Sequence, residues 1–283
     1  MTQLGFDALA GEDAWARPLV RVTPARLGTW EDCPRRYRMT YVDRPAPPRA
    51  GARAASTLGA VVHLALRAVH ARPAAERTPE AAAGLVDRNW VGEGFRDAEQ
   101  QHEYRLKARG WVADYVAEHV VGAPEPLAVE RWVSASTGSI VAEGRADRID
   151  AAAGAAVVVD YKTGRHVPTP EDARDSVALA LYALGAAATL RRECRRVELH
   201  HLPSGTVAAW EHDDGSLAGH RERAEHGALA AADAADALAA GGSADVLFPP
   251  RPAPRCASCD VRRNCPEGQA AGPAAAPWDQ LVR

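Results

Sequence analysis

The spacing of apolar positions changes along this 283-residue chain, and each change marks a predicted element. In 56–71, Leu58, Val61, Val62, Ala65, Leu66 and Val69 recur on one helix face, with Ser56 or Thr57 able to cap the start. Upstream, Thr23 before Pro24 has the chemistry of a helix start: a hydroxyl acceptor ahead of a residue with no amide to satisfy. Residues 79–121 keep a helical character in which Trp90, Phe95, Tyr104, Leu106, Trp111, Val112, Tyr115 and Val116 read as packing residues. A helical insert over about 75–122, covering a cleft, is the expectation there. The pattern then shortens to strand alternation over 126–134, 143–150 and 157–162, with a small-residue turn containing Gly154 between the last two. Residues 173–190 read as a helix, 197–202 and 206–210 as a closing hairpin, and 216–240 as a long Ala-rich helix ended by Gly241 and Gly242. The order of helices and strands predicts an α/β fold, and no internal repeat is evident.

Composition adds bounds. A hydrophobic content of 47% and a charged content of 25% are ordinary for a globular chain, and the length suits one large domain or two small ones. Residues 1–17 lack a basic start followed by an apolar run, and no stretch approaches a membrane span, so a cytoplasmic protein with no membrane partner is expected. The net charge of −3 disfavours a nucleic-acid partner until its distribution is counted. Residues 17–53 carry nine Arg against Glu31, Asp32 and Asp43, an excess of +6. Near the C-terminal cysteines, Arg251, Arg255, Arg262 and Arg263 face Asp260 and Glu267, an excess of +2. Arg35, Arg36 and Arg38 are therefore candidate contacts to a phosphate backbone.

The candidate chemistry sits on two strands. In Val157-Val158-Val159-Asp160-Tyr161-Lys162, alternation puts Asp160 and Lys162 on one face. In Glu143-Gly144-Arg145-Ala146-Asp147-Arg148-Ile149-Asp150, Asp147 is expected to end the neighbouring strand. Two carboxylates and an ammonium at one sheet edge suit a hard divalent cation and an attacking water. Glu143 shares parity with Asp147 and could approach the same metal, with pairing to Arg145 or Arg148 as its expected role; Asp150 flanks the site.

There are five cysteines. Cys256, Cys259 and Cys265 are close in an irregular Pro- and Arg-rich loop, a metal-binding arrangement short of one ligand, and Cys33 is the best fourth candidate. Four thiolates suit a structural zinc or an iron–sulfur cluster equally. Cys194 has no partner pattern and is assigned no metal.

Gly144-Arg145-Ala146-Asp147-Arg148-Ile149-Asp150 and Asp160-Tyr161-Lys162-Thr163-Gly164 together resemble the PD-(D/E)xK nuclease superfamily, and more narrowly its RecB-type exonuclease branch, including Cas4 and AddB. The resemblance extends to Thr23-Pro24-Ala25-Arg26-Leu27 and to Leu58-Gly59-Ala60-Val61-Val62-His63. It implies a restriction-endonuclease-like core, a mixed sheet flanked by helices, in about 56–72 and 126–212. It also implies a cluster-bearing helical lobe from 21–50 and 245–270, all within one domain over 21–270, between a loose lead-in at 1–20 and a tail at 271–283. It further implies a DNA exonuclease of repair or recombination using Mg²⁺ or Mn²⁺ held by His63, Asp147, Asp160 and the Tyr161 carbonyl, with Lys162 as the catalytic lysine. The product would carry a 5′-phosphate and a 3′-hydroxyl. Cys33, Cys256, Cys259 and Cys265 would hold a [4Fe-4S] cluster tying the chain ends together, with structural Zn²⁺ the alternative. A CRISPR-adaptation nuclease, or a non-catalytic DNA-binding subunit, are the other readings. No Gly-x4-Gly-Lys-Ser/Thr phosphate loop occurs in the sequence, so a helicase would have to be a separate partner. One departure stands out. The family's Gln four residues before Tyr182 is Ala178 here, which leaves the role of Tyr182 open between packing and DNA contact.

Overall fold

The computed structural model describes residues 19–282. Most of the expected lead-in lies outside this range, but Val20 already belongs to a strand. The described chain runs β1 (Val20–Val22), α1 (Pro24–Asp32), α2 (Pro34–Tyr37), α3 (Ala54–His70), α4 (Pro79–Arg88) and α5 (Ala98–His119). It continues through β2 (Ala128–Ser136), β3 (Ile140–Ala152), β4 (Ala155–Lys162), α6 (Pro170–Asp175), α7 (Val177–Leu190), β5 (Cys194–His201) and β6 (Thr206–Glu211). It closes with α8 (Asp214–Ala239), α9 (Ala244–Leu247) and α10 (Pro266–Ala270).

Local chemistry sets most boundaries. Thr23 accepts the Arg26 amide and starts α1. Asp97 caps α5 through the Gln100 amide at 2.8 Å. The single helix expected over 173–190 is two, because Thr169 and Asp172 form a capping box on α6 and Ser176 starts α7 by accepting the Leu179 amide. The β3–β4 turn needs only Ala153 and Gly154, both at positive φ (49° and 87°), the conformation that joins right-twisted strands tightly. A flexible residue at Gly154 is what lets the hairpin close in two residues.

The sheet is mixed and six-stranded: β4–β5 and β1–β3 are parallel, while β2–β3, β3–β4 and β5–β6 are antiparallel. On one face α3, α4 and α5 pack over Val157, Val159 and Tyr161. On the other, α7 packs over Ala146, Ile149, Val158 and Val197, so tightly that a Cβ on Gly185 would lie 3.0 Å from Val133. A third cluster joins β1, α1 and α8 through Val22, Leu27, Ile140 and Ala228.

Two expectations change. Residues 75–122 form no lid: Ala82, Val86, Ala108, Val112 and Val116 are fully buried and make up half of a core layer with α3. Nor do residues 271–282 trail away. Ala54 donates its amide to the Pro277 carbonyl, Tyr104 donates its hydroxyl to the Val282 carbonyl, and Arg165 donates to the Leu281 carbonyl at 2.7 Å. Leu281 is 3% exposed in the α3–α5 core. Leu281→Ala is expected to cost about 2–3 kcal/mol in urea unfolding, as for other buried leucines; a true tail residue would change stability by less than about 0.5 kcal/mol.

Candidate metal and catalytic site

β3 has an unusual partner arrangement. β2 covers one of its edges from Val141 to Ile149. The other edge is shared by β1, at Ile140 to Ala142, and β4, from Arg148 onward. Residues 143–147 therefore face a gap on that edge. Asp147 lies in the middle of the 13-residue β3 rather than at a strand end, and the gap gives it access. There its Oδ2 accepts the Tyr161 amide at 3.0 Å, taking the place of a ladder bond where β4 diverges.

α3 brings His63 to the same point. His63 Nδ1 lies 3.3 Å from Asp147 Oδ1, and Nε2 lies 3.2 Å from the Tyr161 carbonyl oxygen. Gly59, one turn earlier, allows this approach, since a Cβ there would sit 3.2 Å from Thr163 Oγ1. Burial lowers the His63 pKa, but the bond to Asp147 and the charges of Asp147, Asp160 and Glu130 outweigh it and leave the ring raised.

Glu130 is the residue that sequence reasoning missed. It falls opposite Asp147, between the pairs Val129–Arg148 and Arg131–Ala146. Its φ of 51° is unusual for a non-glycine residue in a strand. Its side chain is only 9% exposed, with Oε2 2.7 Å from Arg145 Nε. Burial, opposed by Arg145 and reinforced by Asp147, raises its pKa. Among the described residues, His63, Glu130 and Asp147 form the one group of three or more His, Cys, Asp or Glu whose ligand atoms all lie within 4.8 Å of one another. Glu143, with the same face parity as Asp147, is instead paired with Arg21 of β1 at 2.5 Å. The register of β2 against β3 was the signal that decided between the two acids, and a single sequence does not contain it.

Asp160 and Lys162 share a face, with Nζ 2.5 Å from Oδ2. Burial, reinforced by the Asp147 charge, raises the Asp160 pKa despite Lys162. The lysine side chain is half exposed, and its ammonium sits against a largely buried carboxylate. Asp160 stands outside the compact three-residue group but close enough to feel Asp147 and His63. Behind the site, buried Arg148 donates to Tyr115 Oη at 2.9 Å and to Tyr161 Oη at 3.4 Å and pairs with Asp150 at 3.0 Å. Tyr161 is thus fixed through its ring, amide and carbonyl. Asp150 serves this rear network.

Tyr182 covers Gly144 from α7, one turn after Ala178. Burial and the charges of Asp160 and Asp147 push its pKa up to about 12, so it remains a neutral phenol beside the acids. A Cβ on Gly144 would lie 2.5 Å from Tyr182 Cε1.

The arginines expected to contact phosphate are engaged within the protein. Buried Arg35 donates to Glu267 at 2.6 Å and to Asp245 at 2.8 Å. Arg36 donates to Asp260 at 3.0 Å, and Arg38 pairs with Asp43 at 3.3 Å. Arg35 and Arg36 hold the N-terminal segment to the C-terminal one, while Arg38 pairs within its own segment. Cys33, Cys256, Cys259 and Cys265 line one cavity between these segments, and Cys194 is not among its lining residues. The amides of Ala253 and Gly268 donate to Cys256 Sγ at 3.5 Å and Cys265 Sγ at 3.3 Å. Burial raises the Cys259 and Cys265 thiols, and a bound cationic centre would offset that cost.

Gly144→Ala is expected to cost about 1–3 kcal/mol by overpacking against the Tyr182 ring. Denaturation of the Gly144→Ala/Tyr182→Ala pair should recover part of that loss as a non-additive term; strict additivity would separate the two residues.

No curated protein matches the chain in sequence. A crystal structure of a candidate exonuclease from Eubacterium rectale has a similar fold, with a TM-score of 0.52 at 12% identity, covering 93% of this chain and 94% of that one. The PD-(D/E)XK nuclease superfamily model matches residues 21–266. With that match spanning most of its length, the chain belongs to the PD-(D/E)XK nuclease superfamily.

Proposed function

We propose that the protein is a divalent-metal-dependent deoxyribonuclease acting on DNA ends or single strands in repair or recombination. The observation that carries this reading is the meeting of His63, Asp147 and the Tyr161 carbonyl beside the Asp160–Lys162 pair. The donor set fits Mg²⁺ or Mn²⁺: it is rich in hard oxygens, and its one imidazole favours Mn²⁺. His63, Asp147, Asp160 and the Tyr161 carbonyl would hold the cation, with Glu130 added to the set. A bound cation supplies polarisation of the phosphate and a lowered pKa for water. The chain's own groups do the rest. Tyr161 and Arg148 fix the donors from behind. Lys162 orients the attacking water and offsets charge developing on the phosphate oxygens. Water adds to phosphorus as the P–O3′ bond breaks, leaving a 5′-phosphate and a 3′-hydroxyl.

The intact acids and lysine favour catalysis over a purely DNA-binding role. Lys162→Ala should lower Mn²⁺-dependent cleavage of end-labelled DNA by about 10²- to 10³-fold, the scale of losing one stabilising donor. Mn²⁺ affinity measured by calorimetry should be nearly unchanged in that variant. Glu130→Gln should instead weaken Mn²⁺ binding by about 10- to 100-fold. Full cleavage by Lys162→Ala would remove the nuclease assignment, and unchanged Mn²⁺ affinity in Glu130→Gln would remove Glu130 from the site.

The same reading places a [4Fe-4S] cluster in the four-cysteine cavity. Four thiol side chains lining one cavity support a bound centre of this kind. Anaerobically purified protein is expected to be brown and to contain iron, and Cys33→Ser should lose both colour and iron. A colourless protein containing stoichiometric zinc would replace the cluster with the metal.

A further inference from the structure

Among the described residues Trp132 is the largest of the exposed apolar side chains, with 60% of its surface accessible. β2 pairs only with β3, so it is an edge strand, where an open aromatic is an aggregation liability unless something uses it. Its position relative to the site follows from the register. Val133 is buried against Gly185 of α7, so Trp132 projects to the opposite sheet face, the side that carries α3 and His63. Glu130 lies two residues away on the same strand, about 7 Å along it. Directly across, Trp132 pairs with Arg145, whose Nε is 2.7 Å from Glu130. By register Trp132 therefore stands across from Arg145, which reaches Glu130 and so the group of Glu130, Asp147 and His63. Half of the Arg145 side chain is accessible.

We infer that Trp132 is a stacking platform for an unpaired base of single-stranded DNA, with Arg145 taking an adjoining backbone phosphate. This rests on the nuclease reading above and names its substrate. A flat aromatic with a half-exposed guanidinium across from it offers one partner to a base and one to a phosphate of a single strand. In a duplex both faces of each base are already stacked, so only an unpaired base or a frayed end can use the indole. Discrimination comes from that requirement and not from base identity, since every base offers a π face.

The test is polarisation binding of labelled oligothymidine and of a blunt duplex, both in chelator, with wild type, Trp132→Ala and Trp132→Phe. Trp132→Ala should bind oligothymidine about 5- to 100-fold more weakly, with duplex affinity unchanged within about twofold. Trp132→Phe should keep most of the single-strand affinity. Sedimentation of the same samples gives the oligomeric state. Equal single-strand affinity in Trp132→Ala overturns the platform while leaving the nuclease reading intact if metal-dependent cleavage persists. An equal loss on both substrates, or a change in oligomeric state in place of affinity, also overturns it, the latter marking the edge as a protein contact. A wild type that neither binds nor cleaves DNA overturns both proposals.

Discussion

The site depends on one unpaired stretch of backbone. β3 is long enough for three partners, and two of them, β1 and β4, share an edge without meeting. A continuous ladder would have satisfied residues 143–147 with backbone and buried them. The interruption instead obliges a side chain, Asp147, to accept the Tyr161 amide. That bond fixes a carboxylate at the point where α3 delivers an imidazole and β4 turns its carbonyl inward. The sheet makes its opening and its ligands by the same departure from regular pairing.

Strain and burial gather around that opening. Glu130 is held at positive φ in a strand, Asp160 is largely buried with a raised pKa, and Arg148 is sunk between two tyrosines and an aspartate. Each arrangement costs free energy that surrounding packing has to offset, a pattern found at functional sites more than elsewhere. A cation would favour the ionised forms of Asp160 and Glu130 that burial disfavours. The electrostatics of the protein are thus arranged for a positive guest.

Much of the fold was legible because it is written in periodicity. The α3 face from Leu58 to Val69, the Thr23–Pro24 start and the Asp160-x-Lys162 alternation are local signals, and each matches the structure in type. Boundaries failed where a side chain competed with the backbone, as Ser176 does between α6 and α7. Long-range facts were not legible. Glu130 appears in sequence as one acid in an alternating strand, and only its register against Asp147 distinguishes it from Glu143, which is paired with Arg21. Arg35, Arg36 and Arg38 look free in a charge count, because their carboxylate partners are more than 200 residues away or, for Asp43, hidden in the turn of the same segment. The packed end of the chain was invisible for a similar reason: Leu281 is one leucine among alanines and prolines until α5 lies over it.

The Arg35–Glu267 contact spans 232 residues, whereas the His63–Tyr161 contact spans 98. On a ribosome these distances become times. The half of the sheet that carries Asp147 and Asp160 can close once β5 has emerged, while the cysteine cavity waits for residues up to Cys265. During that interval Arg35 and Arg36 are synthesised before the Glu267 and Asp260 they pair with. The order of emergence therefore separates closure of the sheet around His63 and Asp147 from closure of the cysteine-lined lobe.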